Sequence, residues 1–264
     1  MSDPLVSVYM TVRDGLPYVA EAVESVRQQT FADWELIVVD DGSRDGTGDY
    51  LAGLPSADDR IRVIPTAGVG RAVALNLALA QARGFYVANL DADDLAHPQR
   101  LEIQLGLMRR HRLQYLASAS QFIRDAEAVR WCTVDEGACE VADRSRRLLR
   151  RNPINHSSVI MERRLCQAVG GYDEHLSSQL DYDLWYRLCR AGCPIMRSTP
   201  ALVAKRLHAR QSFERRRRLH YLWHSYRVQR RVIAGLGGAW PDRLYMILRL
   251  CMGLVPAGIR LSRR

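Results

Sequence analysis

No Cys-x-x-Cys pair occurs among the six cysteines, Cys132, Cys139, Cys166, Cys189, Cys193 and Cys251. Their scattered spacing excludes paired-cysteine zinc sites and a disulfide framework, and fits ordinary thiols in a reducing compartment. No Gly-x-Gly-x-x-Gly follows the first apolar run, which disfavours a dinucleotide site. No Gly-x4-Gly-Lys-Ser/Thr occurs, so a P-loop is absent. Met1 to Pro4 is short and polar and leads at once into a strand-like run, so no signal peptide is expected. No apolar stretch reaches the roughly 20 residues that a membrane-spanning helix needs. No internal repeat is visible.

What is there is a chain of 264 residues, 47% of them apolar, enough to bury a sizeable core. The formal charge is +9, and it is unevenly placed. Acids are frequent in the first hundred residues. Arginines crowd later, in Arg144 to Arg151, Arg215 to Arg218, Arg227 to Arg231 and Arg260 to Arg264. Such runs are solvated faces or meet anionic surfaces.

Val6 to Val12 is β-rich and ends at the turn signal Asp14-Gly15. Pro17 opens a helix in which Val19, Ala22, Val23 and Val26 recur at helical spacing. Leu36 to Val39 reads as a buried parallel strand ending at Asp40-Asp41-Gly42-Ser43. Further elements are a helix from Asp45 to Leu54, a strand from Ile61 to Ile64, a helix from Ala72 to Gln81, and a strand from Phe85 to Leu90 that ends at Asp91. Strands alternating with helices predict a parallel sheet. Three polar strand ends, Thr11 to Asp14, Asp40-Asp41 and Asp91 to Asp94, then fall on one edge, where open α/β sheets bind ligands.

Asp91, Asp93 and Asp94 repel one another unless a cation sits among them, and hard carboxylate oxygens suit Mg2+ or Mn2+. The alternative is a helix N-cap, which would explain one of the three, Asp94.

The combination of Val6 to Val12, Ser25 to Thr30, Glu35 to Ser43, Leu90 to Asp94, Gly170 to Asp173, Asp181 to Trp185 and Arg206-Leu207-His208 resembles glycosyltransferase family 2 from about Val6 to about Ser212. The resemblance implies an α/β GT-A fold, a Rossmann-like three-layer sandwich around a mostly parallel central sheet, with C-terminal amphipathic helices added. Residues 1–212 would be the catalytic domain (1–97 the nucleotide-binding half, 98–212 the acceptor-binding half). Residues 213–264 would be a basic helical region.

It also implies residue roles. Thr11 and Val12 would line the base and ribose pocket, with Asp14 where relatives usually carry Asn. Asp41 would accept from a uracil imide. Asp91, next to Ala92 in the nucleotide site, would reach the ribose. Asp93 would bind the metal, and His208 the metal or the diphosphate. Arg13 replaces a usual Tyr, and Leu75 a usual Arg. Arg71, one turn earlier, would supply that charge to the nucleotide.

The chemistry would be transfer of a sugar, with inversion, from a nucleotide donor of the UDP type to a hydroxyl of a saccharide or lipid-linked saccharide, as in cell-surface glycan synthesis. Mn2+ or Mg2+ would neutralise the departing diphosphate. Asp181 is the expected base, where Leu180 replaces a common Glu, and Asp183 is the alternative, with a structural role at the helix start as its other reading.

Trp34, Trp131 and Trp185 read as core or pocket wall, and Gly170-Gly171 as a helix-ending turn. Asn155 to Ser158 reads equally as a ligand contact or a structural turn. Gln211 to Gly235 reads as a basic helix, and Leu244 to Val255 as an interfacial helix for an anionic membrane. Packing of that helix on the domain, or on a second subunit in a homodimer, is the alternative. The expected location is cytoplasmic, on the inner face of the cell membrane, with no nucleic-acid partner. The competing function is a non-catalytic module binding nucleotide sugar or nucleic acid.

Overall fold

Strands whose side chains are buried on both faces need continuous apolar runs, and two such runs make the centre of the sheet. They are β1 (Val6–Val12) and β2 (Trp34–Asp40), paired in parallel from Val6 against Trp34 to Val12 against Asp40. The computed structural model describes residues 3–125, 127–208 and 218–254. β3 (Ile61–Pro65) adds to β2 in parallel, and β4 (Tyr86–Asn89) adds to β1 in parallel. The parallel registers bring the carboxyl ends of all four strands to one edge.

The helices between them are amphipathic. α1 (Tyr18–Arg27) buries Val19, Ala22, Val23 and Val26, the positions that the spacing predicts. The single helix expected from Asp45 to Leu54 is two short ones, α2 (Thr47–Ala52) and α3 (Leu54–Ala57). α4 (Arg71–Gln81) buries Ala74, Leu75 and Ala78, so Leu75 belongs to the core.

Beyond β4 the sheet turns mixed. β5 (Leu95–Ala96) precedes α5 (Arg100–His111), followed by β6 (Tyr115–Arg124), β7 (Val141–Asp143) and β8 (Val159–Glu162). α6 (Arg163–Ala168), α7 (Leu180–Arg190) and β9 (Met196–Leu207) complete it. β8 runs antiparallel to both β4 and β6, and β6 runs parallel to β9. The order is β3-β2-β1-β4-β8-β6-β9-β5, with β7 on β9. The parallel arrangement read from alternating strands and helices holds in the first four strands, and one continuous sheet carries on through the later ones. Two core clusters lie on its faces, one under α4 and α7, the other under α1 and α5.

α8 (Arg218–Gly235) buries Ser225, Val228, Gln229, Val232 and Ile233, which recur at helical spacing, and Val228 and Val232 join the core cluster of α7. Gln229 Nε2 donates to Leu149 O and Arg150 O. This helix thus packs on the domain. α9 (Trp240–Leu254) buries Met246 but exposes Trp240, Leu244, Ile247, Leu248, Met252 and Leu254. No described helix is long and apolar enough to cross a membrane. Residues 211–217, the start of the expected basic helix, and the arginines of 260–264 lie outside the described residues.

Candidate active site

The polar ends of β1, β2 and β4 converge as their parallel registers require. Val12 has its side chain in the core, and its carbonyl accepts from Asp41 N at 2.8 Å, so only its backbone faces the edge. Thr11 beside it is half-buried. Asp14 lies in the left-handed region (φ 53°), which Asp tolerates through local hydrogen bonds. Its carboxylate accepts from Arg44 N at 2.7 Å and its own N donates to Ser43 Oγ at 2.9 Å.

Asp41 is 6% exposed. Its Oδ1 accepts from Thr66 Oγ1 at 3.0 Å and Val69 N at 2.6 Å, and its Oδ2 from Gly70 N at 3.0 Å. The carboxylate is thereby moored to the loop between β3 and α4. Gly42 permits the approach: its φ is +75°, and a Cβ there would sit 2.9 Å from Gly68 N.

The Asp91 to Asp94 segment divides three carboxylates among three surroundings. Asp91 accepts from Arg71 Nη2 at 2.9 Å and lies 3.1 Å from His156 Nδ1, both on Oδ1. Burial alone would raise its pKa, but Arg71 and His156 outweigh it and hold this carboxyl well below the usual range. Ala92 between them is half-buried. Asp93 is partly exposed, and His208 Nε2 sits 3.1 Å from its Oδ2. Asp94 is buried, accepting from Ser157 Oγ and from Arg206 N. Its pKa is pushed up to about 8 by burial, then by Asp93 and Asp91. It caps no helix: α5 begins six residues later, behind Gln99. The carboxyl instead ties the β4–β5 loop to the turn before β8 and to β9, where Ser157 and Arg206 satisfy it.

Arg206 completes that clasp. It is 2% exposed; its guanidinium donates to Asp93 O, Asp125 O and Glu21 Oε2 and lies 5.0 Å from the Tyr18 ring. Tyr18 in turn packs against His208 in a tilted ring contact, with centroids 4.6 Å apart. The end of β9, α1 and the Asp93 loop are thus one unit.

From the later part of the chain, α7 brings Asp181. It is half-buried and accepts from Asn152 Nδ2 at 2.6 Å. Arg71 is more than half exposed, between these groups, and its charge is favoured by Asp91 first, then by Asp181 and Asp93. Asp183, the alternative base, is fully buried and bound by Arg187 Nε at 2.7 Å and Arg231 Nη1 at 2.9 Å. It joins α7 to α8, the structural reading of that position. Gly170 and Gly171 have positive φ, 81° and 64°, as a helix-ending turn requires. Asn76 receives Tyr172 N and donates to Tyr172 O just after them. Trp34 and Trp185 are core.

Sequence reasoning left His156 and Ser157 with two readings and gave Arg206 and Asn152 no role. The available signal was His-Ser-Ser placed just before the apolar run of β8, a polar cluster at a strand start.

Among the described residues no group of three or more His, Cys, Asp or Glu side chains could hold a metal. Asp93 and His208 offer one hard carboxylate oxygen, the ligand type that suits Mn2+ or Mg2+, and one softer imidazole, so phosphate oxygens would have to supply the rest of a coordination shell. His208 Nδ1 is buried without a hydrogen-bond partner among the described residues.

A mixed α/β sheet with carboxylates and a basic group on one edge is the architecture of nucleotide-sugar glycosyltransferases of the GT-A type. The model of glycosyl transferase family 2 matches residues 7–165, and the chain belongs to that family of enzymes. It is similar to the putative glycosyltransferase EpsE of Bacillus subtilis, 31% identical over 198 residues that make up 72% of this chain and 69% of EpsE. Its fold is like that of Staphylococcus aureus TarS 1–349 in complex with UDP-GlcNAc, with TM-score 0.68, 20% identity, and coverage of 89% of this chain and 67% of that one. It is also like that of the mannosyltransferase PcManGT of Pyrobaculum calidifontis in complex with GDP-Man and Mn2+, with TM-score 0.61, 18% identity, and coverage of 96% and 81%.

Proposed function

We propose that this glycosyltransferase is inverting and metal-dependent, moving a sugar from a UDP-type donor to a hydroxyl of a saccharide or lipid-linked saccharide in cell-surface glycan synthesis. The observation that carries the reading is the meeting of Asp93 with His208, and of Asp91 with Arg71, at one edge of the sheet. Thr11, the Val12 backbone, Asp14 and Asp41 would bind the base side of the donor, Asp91 and Ala92 the ribose, and Arg71 the diphosphate. Asp93 and His208 would hold Mn2+ or Mg2+. The ion would act as a Lewis acid on the leaving diphosphate. Both donors in the complexes of TarS and PcManGT are nucleotide sugars, and the latter complex holds Mn2+, which supports the donor class and the metal.

Asp181 is the base in this reading. The acceptor hydroxyl gives its proton to the Asp181 carboxylate as its oxygen attacks the anomeric carbon. The glycosidic bond to the diphosphate breaks on the opposite face, and the diphosphate leaves with the bonding pair. Asn152, donating to Asp181 Oδ2, holds that carboxylate in place. A single displacement inverts the anomeric centre.

The protein would act at an anionic membrane surface on the cytoplasmic side. Trp240, Leu244, Ile247 and Leu248 lie on one exposed face of α9, with Arg243 and Arg249 on the same helix. A single experiment tests the core of the reading. Calorimetric binding of UDP-sugars with Mn2+, with Mg2+ and with chelator should show metal-dependent affinity that Asp93→Ala abolishes, followed by transfer that Asp181→Asn abolishes. Full turnover in excess chelator would overturn the metal role.

A further inference from the structure

A hydrogen-bonded chain runs from the core of the sheet to Asp91. Tyr9 Oη and Tyr172 Oη are 2.7 Å apart, Tyr172 Oη and His156 Nε2 are 2.6 Å apart, and His156 Nδ1 is 3.1 Å from Asp91 Oδ1. Of its four residues all but Asp91 are buried: Tyr9 0%, Tyr172 2% and His156 6% exposed. The direction of the chain follows from its ends. Two acceptors at 3.1 Å would repel, so Nδ1 carries the proton that it gives to the Asp91 carboxylate. Burial keeps both phenols protonated, their pKa values far above the usual. The Tyr9 hydroxyl lies at the closed end of the chain and donates to Tyr172 Oη, which then donates to His156 Nε2. In a neutral ring Nε2 is then the acceptor; whether or not the ring is charged, Nδ1 is the donor toward Asp91. Arg71 Nη2, 3.5 Å from Nδ1, is a donor too, so the two nitrogens share Asp91 Oδ1 instead of bonding to each other.

The consequence lies at the other oxygen. With Oδ1 filled from two sides, the Asp91 carboxylate has one orientation, and its Oδ2, with no hydrogen-bond partner among the described residues, is left as the acceptor for a ligand hydroxyl. We infer that His156 is a positioning residue for sugar recognition in the nucleotide, aiming Asp91 Oδ2 at a ribose hydroxyl and so selecting ribonucleotide donors over deoxy ones. The inference rests on the reading of Asp91 as the ribose contact. A fixed acceptor pays off in discrimination because a missing hydroxyl leaves a charged oxygen unmet.

The paired substitutions His156→Gln and His156→Asn separate the two nitrogens. Gln places its amide at the Nε2 position and loses the donor to Asp91; Asn places its amide at the Nδ1 position and keeps it. The readout is binding of UDP, 2′-deoxy-UDP and 3′-deoxy-UDP by calorimetry, without turnover. The unaltered protein should bind at least one deoxy analogue about tenfold more weakly than UDP, the size of a hydrogen bond to a charged group. His156→Gln should cut that ratio to about two while His156→Asn retains most of it. Equal ratios in His156→Gln and the unaltered protein would overturn the inference. Equal binding of all three nucleotides by the unaltered protein would instead overturn the ribose role of Asp91. If His156→Gln unfolds, as circular dichroism would report, Tyr172→Phe removes the donor to Nε2 with His156 kept, and an undiminished ratio in that variant overturns the inference as well.

Discussion

The carboxyl-end edge of the sheet and the C-terminal helix pair depart from the apolar-in, polar-out rule in opposite senses. At the edge, polar groups are buried: Asp40, Asp41, Asp94, His156 and Arg206 are nearly inaccessible, each held by hydrogen bonds. In α9, large apolar side chains face outward, Trp240 at 73% and Met252 at 58% exposure. Buried polar groups are costly unless satisfied, so an edge this polar is rigid and specific. An exposed apolar stripe is costly in water, and under the proposed membrane contact it would meet another apolar phase. α8 stands between the two regimes. Its inner face belongs to the core and it passes Arg231 to the buried Asp183.

If the edge does chemistry and α9 does docking, damage to one should leave the other intact. The largest effects should come from the edge. Asp93→Ala should lower transfer roughly a thousandfold or more, the scale of losing electrostatic stabilisation of a leaving group, with α9-dependent vesicle binding unchanged. Asp181→Asn should lower kcat by roughly 10² to 10⁴ while calorimetric donor affinity stays within about twofold of the unaltered protein. Near-normal turnover would move the base elsewhere.

Asp183→Ala is the control two residues away. It leaves Arg187 and Arg231 without their buried partner and should destabilise the fold by about 3–5 kcal/mol in urea titrations, with KM for the donor little changed. A variant that kept its stability but lost activity would undo the distinction between the two aspartates.

Acid sensitivity should trace to the opposite end of the sheet. Glu35 is buried; burial raises its pKa, but hydrogen bonds from Ser7 and Arg83 outweigh this and lower it. A carboxyl depressed in the folded state contributes stability above its unfolded pKa and loses it as pH falls through the folded value. Denaturation midpoints followed from pH 7 downward should drop below the ordinary glutamate range, and Glu35→Gln should flatten that limb, costing about 1–3 kcal/mol at pH 7.

The smallest effect on stability should accompany Ile247→Ser with Leu248→Ser on α9. Urea stability should move by less than about 1 kcal/mol, while sedimentation with phosphatidylglycerol vesicles should fall several-fold. Unchanged sedimentation would assign the stripe to another use, and altered donor affinity would link the two regions after all.

The first four strands, their helices and the polar edge were legible in the residues. A strand buried on both faces must be a continuous apolar run, and Val6 to Val12 and Leu36 to Val39 are such runs. The mixed second half was not, because strand direction is set by pairing partners distant in the chain, as when β8 runs antiparallel to β4 and β6. The split of Asp45 to Leu54 into two helices was missed, although Gly53 and Pro55 punctuate it. The three carboxylates were seen as a cluster, but the expectation that Asp94 caps a helix fails because Ser157 and Arg206 claim it.

The sequence by itself determined where the sheet is apolar, where its strands stop, and that three acidic stops share one edge. Those are local matters of periodicity and burial. Only the tertiary structure decided which carboxylate is moored, which is locked away and which meets a histidine. His156 lies 65 residues from Asp91, Arg206 lies 112 from Asp94, and Arg231 lies 48 from Asp183. No spacing rule encodes such pairings. They arise because a buried polar atom must take whatever partner the packed chain brings within hydrogen-bond reach.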